Sequence, residues 1–243
     1  MDTDAPSDDR LYFRQLLAGR DFASANPLAR QMVNFTYLIG DRQTGEVVVV
    51  DPAYDVDTLL DAIEEDGMCL GGVLVTHYHP DHVGGSIFGH SIEGVAKLLE
   101  RVQVPIHVQS VEADGVLKVT GISDSDLVKH SGGDRVTVGE IPIELIHTPG
   151  HTPGSQCFLL DRQLVAGDTL FLEGCGRVDL PGGDAEALYH SIHSTLSRVD
   201  DDVVLYPGHL YAPEPSAPMG DVRKTNFVYR LGTLDQWKMM MGS

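Results

Sequence analysis

Residues 76–85 read THYHPDHVGG, which places three histidines and one aspartate within six positions. Imidazole and carboxylate donors at that density point to a metal ion. In extended backbone, residues two apart face the same way, so His77 and His79 can present two imidazoles to one point. Asp81 and His82 follow Pro80 and precede Gly84 and Gly85, whose small size permits a bend that turns them toward a second point. Three further ligand types recur where apolar runs end: His151 in IHTPGHTPGS, Asp168 in LVAGDTLF and His209 in VVLYPGHLY. Four separate strand-like runs thus terminate in a candidate ligand, the layout of a site built along one rim of a sheet.

With no thiolate among them, these donors suit zinc, iron or manganese. Two divalent ions sharing a water would lower its pKa toward neutrality and hold the hydroxide as nucleophile, so that hydrolysis needs no serine or cysteine. One ion would also polarise a substrate carbonyl. Asp81 and Asp168 are the carboxylates expected to take part in catalysis, Asp81 by orienting the nucleophile or carrying its proton. The other histidines, His90, His107, His130, His147, His190 and His193, fit no such pattern, although His147 lies near enough in sequence to support His151 from outside.

The elements that must position these residues are short. FTYLIG (35–40) and EVVVVD (46–51) flank a polar turn and read as a hairpin, and GVLVT (72–76) reads as a strand buried on both faces. Residues 56–67 carry Leu59, Leu60 and Ile63 at helical spacing. The stretch 86–102 reads as a longer helix that could overhang the site, with Phe88 and His90 near its mouth. Strands follow at 104–109 and through the second half, then a helix over 184–198 and a strand at 202–209. The chain is read as one α/β domain, 1–243, with 210–243 as a short appendage.

Composition narrows the partners. Lys+Arg 17 against Asp+Glu 36 gives a formal charge of −19, which repels phosphate backbones and anionic lipid heads, so neither nucleic acid nor membrane is expected. Cys69, Cys157 and Cys175 show no paired spacing and fit a reduced protein. The acidic start MDTDAPSDDR lacks a basic and apolar leader, and no apolar run approaches the roughly 18 residues of a spanning helix. A soluble, cytoplasmic location is the expectation, and the oligomeric state is left open.

The chain resembles the metallo-β-lactamase superfamily, in its branch of glyoxalase II-like hydrolases and persulfide dioxygenases. THYHPDH, HTPGHTPGS, AGDTLF, GCGRVD and YPGH carry the resemblance in family order across roughly residues 33–229. It implies a four-layer αβ/βα sandwich. By position it also implies His77, His79 and His151 on one metal, Asp81, His82 and His209 on the other, and Asp168 bridging them. The expected activity is that of a dinuclear metallohydrolase, with two Zn²⁺ or alternatively iron or manganese, cleaving a hydroxyacylglutathione-type thioester or another small anionic acyl-thiol. A mononuclear iron persulfide dioxygenase using His77, His151 and Asp168, and a lactone or ester hydrolase, are the alternatives.

Substrate contact is expected from GCGRVDLPGGD (174–184), where Arg177 could pair with a substrate carboxylate or brace the loop through Asp179. Arg223 and Lys224 in the tail are further candidates. The loop lacks the aromatic that glyoxalase II places after its basic residue, and the tail is short for a glutathione-gripping domain. His79→Ala should lower both metal content, by elemental analysis, and thioester turnover; no change in either would rule out the dinuclear assignment.

Overall fold

Four consecutive valines at 47–50 alternate between two cores, Val47 and Val49 packing on one side and Val48 and Val50 on the other. A strand buried on both faces needs that unbroken apolar run. The computed structural model describes residues 10–87 and 89–242. Along the chain, β1 (Leu11–Leu17), helix α1 (Pro27–Met32), β2 (Phe35–Asp41), β3 (Glu46–Val50), α2 (Val56–Glu65) and β4 (Cys69–Leu74) lead to a four-residue helix, α3 (Pro80–Val83). A small hairpin of β5 (Gly85–Ile87) and β6 (His90–Ile92) precedes α4 (Val95–Arg101), β7 (Ile106–Gln109), α5 (Ala113–Thr120) and β8 (Leu127–His130). These strands form a six-stranded sheet ordered β1-β2-β3-β4-β7-β8, with the hairpin apart.

The second sheet comes from β9 (Arg135–Val138), β10 (Ile141–His147), β11 (Gln156–Leu160), β12 (Gln163–Gly167), β13 (Val204–Pro207) and β14 (Ala217–Pro218), ordered β14-β13-β12-β11-β10-β9. Helix α6 (Ala185–His190) leads to β13, and α7 (Met219–Thr225) and α8 (Leu234–Met241) follow β14. Three cores define four layers. Tyr37, Ile39, Val48, Leu74, Phe158 and Val165 fill the space between the sheets. Leu38, Val49, Leu59, Val73 and Leu98 bury the outer face of the first sheet under its helices. Leu164, Leu188, Leu205 and Trp237 do the same for the second. This is the αβ/βα sandwich expected.

Two segments differ from the sequence reading. Residues 86–102 are not one helix: the hairpin comes first, and α4 starts only after Gly94. A Cβ on Gly94 would lie 2.1 Å from the Val83 carbonyl oxygen, so the chain must cross back over the end of α3 before a helix can begin. His90 is exposed on that hairpin, and Phe88 lies outside the described residues. Residues 1–9, most of the acidic start, also lie outside them. The tail at 210–243 is more than an appendage, because Met219, Val222, Val228 and Trp237 are buried in the third core, and Trp237 Nε1 donates to the Ala185 carbonyl at 2.7 Å. No helix among the described residues is long and apolar enough to cross a membrane.

Because Trp237 has no exposed surface, Trp237→Ala should cost about 3–5 kcal/mol in urea unfolding, the usual penalty for emptying an aromatic site. A loss below about 1 kcal/mol would show that the tail does not share the core.

Candidate metal centre

Each expected ligand lies just beyond a strand end. His77 and His79 follow β4, and Pro80 opens α3, which carries Asp81 and His82. Proline suits that first helical position, where the backbone amide has no partner in any case. His151 sits in the loop between β10 and β11, Asp168 directly follows β12, and His209 follows β13. The two sheets meet at this rim, where Gln156 donates through its backbone N to Thr76 O at 3.0 Å and through Nε2 to Val75 O at 2.8 Å.

All seven candidates converge. His79 Nδ1 is 3.1 Å from His77 Nε2 and 2.9 Å from His151 Nε2, which makes one triad. Asp81, His82 and His209 make a second, with the two Nε2 atoms 3.3 Å apart. Asp168 lies between them: Oδ2 is 3.7 Å from His151 Nε2 and 3.3 Å from His209 Nε2, and Oδ1 is 3.5 Å from His82 Nε2. A Cβ on residue 208 would fall 2.2 Å from Asp168 Oδ1, so only glycine lets the carboxylate occupy this position.

The outer ring of hydrogen bonds turns the imidazole lone pairs inward. His151 Nδ1 donates to Arg177 O and His209 Nδ1 to Met32 O, each at 2.7 Å, and His82 Nδ1 donates to Asp51 at 2.9 Å. Thr76 spends its hydroxyl proton on Asp51 Oδ2 at 2.5 Å, so it accepts from His77 Nδ1 at 3.0 Å. The Nε2 atoms of His77, His82, His151 and His209 are thereby turned toward one small volume, an arrangement that second-layer partners impose on metal-binding histidines. Glu112 ties the two ligand loops together, accepting from Tyr78 N at 2.8 Å, Thr152 Oγ1 at 2.7 Å and Gly154 N at 2.6 Å.

The electrostatics fit a cation. Asp51, Asp81 and Asp168 are all buried, and among the described residues no lysine or arginine pairs with them. Asp168 Oδ1 has no hydrogen-bond partner although it is fully enclosed. Burial holds His77 well below its ordinary pKa, reinforced by the neighbouring imidazoles, and lowers His79 to about 4, so both are neutral donors at pH 7. Burial opposes protonation of His82 too, but Asp168, Asp81 and Asp51 outweigh it and raise that imidazole to about 10. Metal ions bound here would therefore replace a protonated histidine as the counter-charge.

A cavity of about 870 Å³ opens over the cluster. Met32, Ile87, Phe171, Tyr211, Phe227 and Met241 give it an apolar wall. Tyr211 stacks on His209 with ring centroids 4.7 Å apart. Cys175 also lines the cavity, but burial pushes its thiol up to about 12, so it offers no thiolate.

The substrate-side residues behave differently from the sequence expectation. Arg177 does line the cavity, with its guanidinium paired to Asp179 through two contacts of 2.6 Å. Arg223 does not line it: its guanidinium donates to Leu196 O, Val199 O and Asp201, bracing the last turn of α7. Lys224 pairs with Asp221 at 3.0 Å on the exposed side of the same helix. Both serve the tail rather than the cavity, because α7 lies against the outer face of the second sheet. His147 donates to Pro153 O at 2.9 Å and steadies the His151 loop without reaching the cluster. Residues without a ligand-like motif also hold the site: Asn34, Tyr54, Thr76 and Glu112, together with Asp51, which ends an apolar strand as the ligands do.

The sandwich and its ligand-bearing rim define a metal-dependent enzyme class, and the family model of the Metallo-beta-lactamase superfamily matches residues 30–209. The chain belongs to that superfamily. It is 32% identical over 199 residues to a probable polyketide biosynthesis zinc-dependent hydrolase, BaeB, of Bacillus velezensis, covering 82% of each chain. It is 33% identical over 212 residues to the mitochondrial persulfide dioxygenase ETHE1 of Homo sapiens, covering 82% of this chain and 74% of that one. Against the hydroxyacylglutathione hydrolase of Rhizobium meliloti it is 38% identical over 180 residues, 73% of this chain but only 62% of the enzyme.

The buried charges set a pH signature for metal-stripped protein. His79, lowered to about 4, contributes a stability penalty that grows as pH falls from about 6.5 to 4. His82, raised to about 10, contributes stability that is full below about 6.5 and lost as pH rises toward 10. Urea midpoints with EDTA present should peak near pH 6.5 and decline on the alkaline side, and saturating metal should abolish that alkaline decline. A metal-free midpoint that keeps rising to pH 9 would contradict the charge assignment.

Proposed function

We propose that this chain is a dinuclear metal-dependent hydrolase that cleaves the thioester of a small acyl-thiol, of the hydroxyacylglutathione type or a related conjugate. The observation that carries the reading is the completeness of both triads around Asp168, whose inner oxygen has no protein partner. His77, His79 and His151 would hold one divalent ion, Asp81, His82 and His209 the other, with Asp168 shared and zinc suited to the donor set. Bound ions supply Lewis acidity toward the carbonyl and lower the pKa of water into the neutral range.

The protein's own part is positioning and proton handling. Asp81 lines the cavity beside the cluster, placed to orient the attacking water and accept its proton. The apolar wall of Met32, Phe171, Phe227 and Met241 takes the acyl group and excludes bulk water. The thiol arm is assigned to an adjoining groove of about 560 Å³, which shares His79 and Leu180 with the cavity and carries Lys118 for an anionic group. Arg177 would meet a substrate carboxylate only by giving up Asp179.

A second reading is supported by the similarity to persulfide dioxygenase ETHE1. In that reading a single iron, held by His77, His151 and Asp168, serves oxidation of a persulfide. Elemental analysis of protein purified without added metal, run beside thioester-hydrolysis and O₂-uptake assays, separates the two. Zinc with hydrolysis is expected, reaching two ions per chain once zinc is supplied to saturation; one iron with persulfide-dependent O₂ consumption would overturn the proposal.

A further inference from the structure

Asn34 is not a ligand type for zinc, yet its side chain reaches the heart of the second triad. Its Nδ2 lies 3.1 Å from Asp81 Oδ2, 3.3 Å from His82 Nε2 and 3.4 Å from His209 Nε2. The three ligand atoms are themselves 3.3, 3.5 and 3.6 Å apart. The four atoms therefore form a nearly regular tetrahedron, with the amide nitrogen at the fourth vertex. Tetrahedral donors on a zinc ion with bonds of about 2.1 Å stand about 3.4 Å apart, so this space has the size of a coordination shell.

The orientation of the amide follows from its other end. Tyr54 donates its hydroxyl to Asn34 Oδ1 at 2.7 Å, which leaves the NH₂ group facing the three acceptors. Asp81 Oδ2 accepts from that NH₂ group, and with their Nδ1 protons committed to Asp51 and Met32, His82 and His209 turn Nε2 toward the same point. The backbone cannot slide to relieve this, because Phe35 N donates to Gly208 O at 2.8 Å and Leu210 N to Val33 O at 3.0 Å, locking residue 34 beside His209. Val33 and Tyr54 also hold positive φ, at 51° and 82°, a conformation that β-branched and bulky residues adopt only under tertiary constraint.

We infer that Asn34, aimed by Tyr54, sets the occupancy of the second metal position by competing with the ion for its three ligands. With NH₂ inward, the amide donates to Asp81 and points its hydrogens into the space where a cation would meet these three ligands, and among the described residues the His77–His79–His151 triad has no such competitor within hydrogen-bond distance. The same seven ligands would then hold one ion when metal is scarce and a second only when it is abundant. This goes beyond the thioesterase reading and does not depend on which substrate the cavity takes.

The test is titration of metal-free full-length protein with Co²⁺, followed by visible absorption and elemental count. Unmodified protein should bind one ion tightly and a second more weakly. Asn34→Leu, which removes the competing donor at similar volume, should tighten the second ion on the order of tenfold, the scale of one or two hydrogen bonds, and leave the first unchanged. A weaker or unaltered second ion would overturn the inference, since a weaker one makes the amide a ligand or a needed brace. Tyr54→Phe keeps Asn34 but frees the amide to turn its oxygen inward, and it should tighten the second ion as well. If the leucine variant fails to fold by circular dichroism, this variant decides alone, an unaltered second affinity counting against the inference.

Discussion

Three carboxylates, Asp51, Asp81 and Asp168, are buried together at the rim where the two sheets meet, and the rest of the molecule is arranged around their charge. Burying even one ionised carboxylate without a counter-charge is prohibitive. Here the only partners among the described residues are imidazoles and neutral donors, with Asp168 Oδ1 left bare. Metal cations resolve this conflict by neutralising the carboxylates and giving the inward lone pairs of the five ligand histidines something to bind. In a metal-free chain, protonated His82 is the substitute, which is why its pKa is raised while those of His77 and His79 are lowered.

That charge cluster needs a rigid frame, and the sandwich supplies one. The two stacked sheets bring β4, β10, β12 and β13 to a common rim, and each ends one to four residues before a ligand. Glu112 and Gln156 then cross-link loops that belong to different sheets. The tail completes the enclosure: Trp237 anchors α8 in the third core, while Phe227 and Met241 reach over to wall the cavity. Stability of the tail and shape of the substrate space are thus one problem.

Much of this was readable from residue order because a simple rule holds throughout: an apolar run, then a donor. It placed His77, His151, Asp168 and His209 at strand ends, and the pairing of His77 with His79 follows from the two-residue period of extended chain. Asp51 obeys the same rule at the end of EVVVVD and could have been found by it. Asn34, Tyr54, Thr76 and Glu112 could not, since each acts through contacts between distant segments and has no ligand-like spacing. The segment 86–102 misled because Val95, Leu98 and Leu99 do have helical spacing, while the hairpin before them is dictated by the passage of Gly94 against Val83. Arg223 misled because a basic residue beside a family-like motif looks like an anion contact, whereas its guanidinium donates to the carbonyls of Leu196 and Val199, in the segment between α6 and β13.

The central claim is that this buried cluster is a metal centre with two positions sharing Asp168. Anomalous X-ray diffraction at the absorption edge of the metal, on crystals soaked to saturation, tests it most directly. The account predicts two peaks per chain roughly 3.5–4 Å apart, one against His77, His79 and His151 and the other against Asp81, His82 and His209, with Asp168 reaching both. Saturated crystals with no peak in this cluster, or with the metal bound elsewhere on the acidic surface, would contradict it.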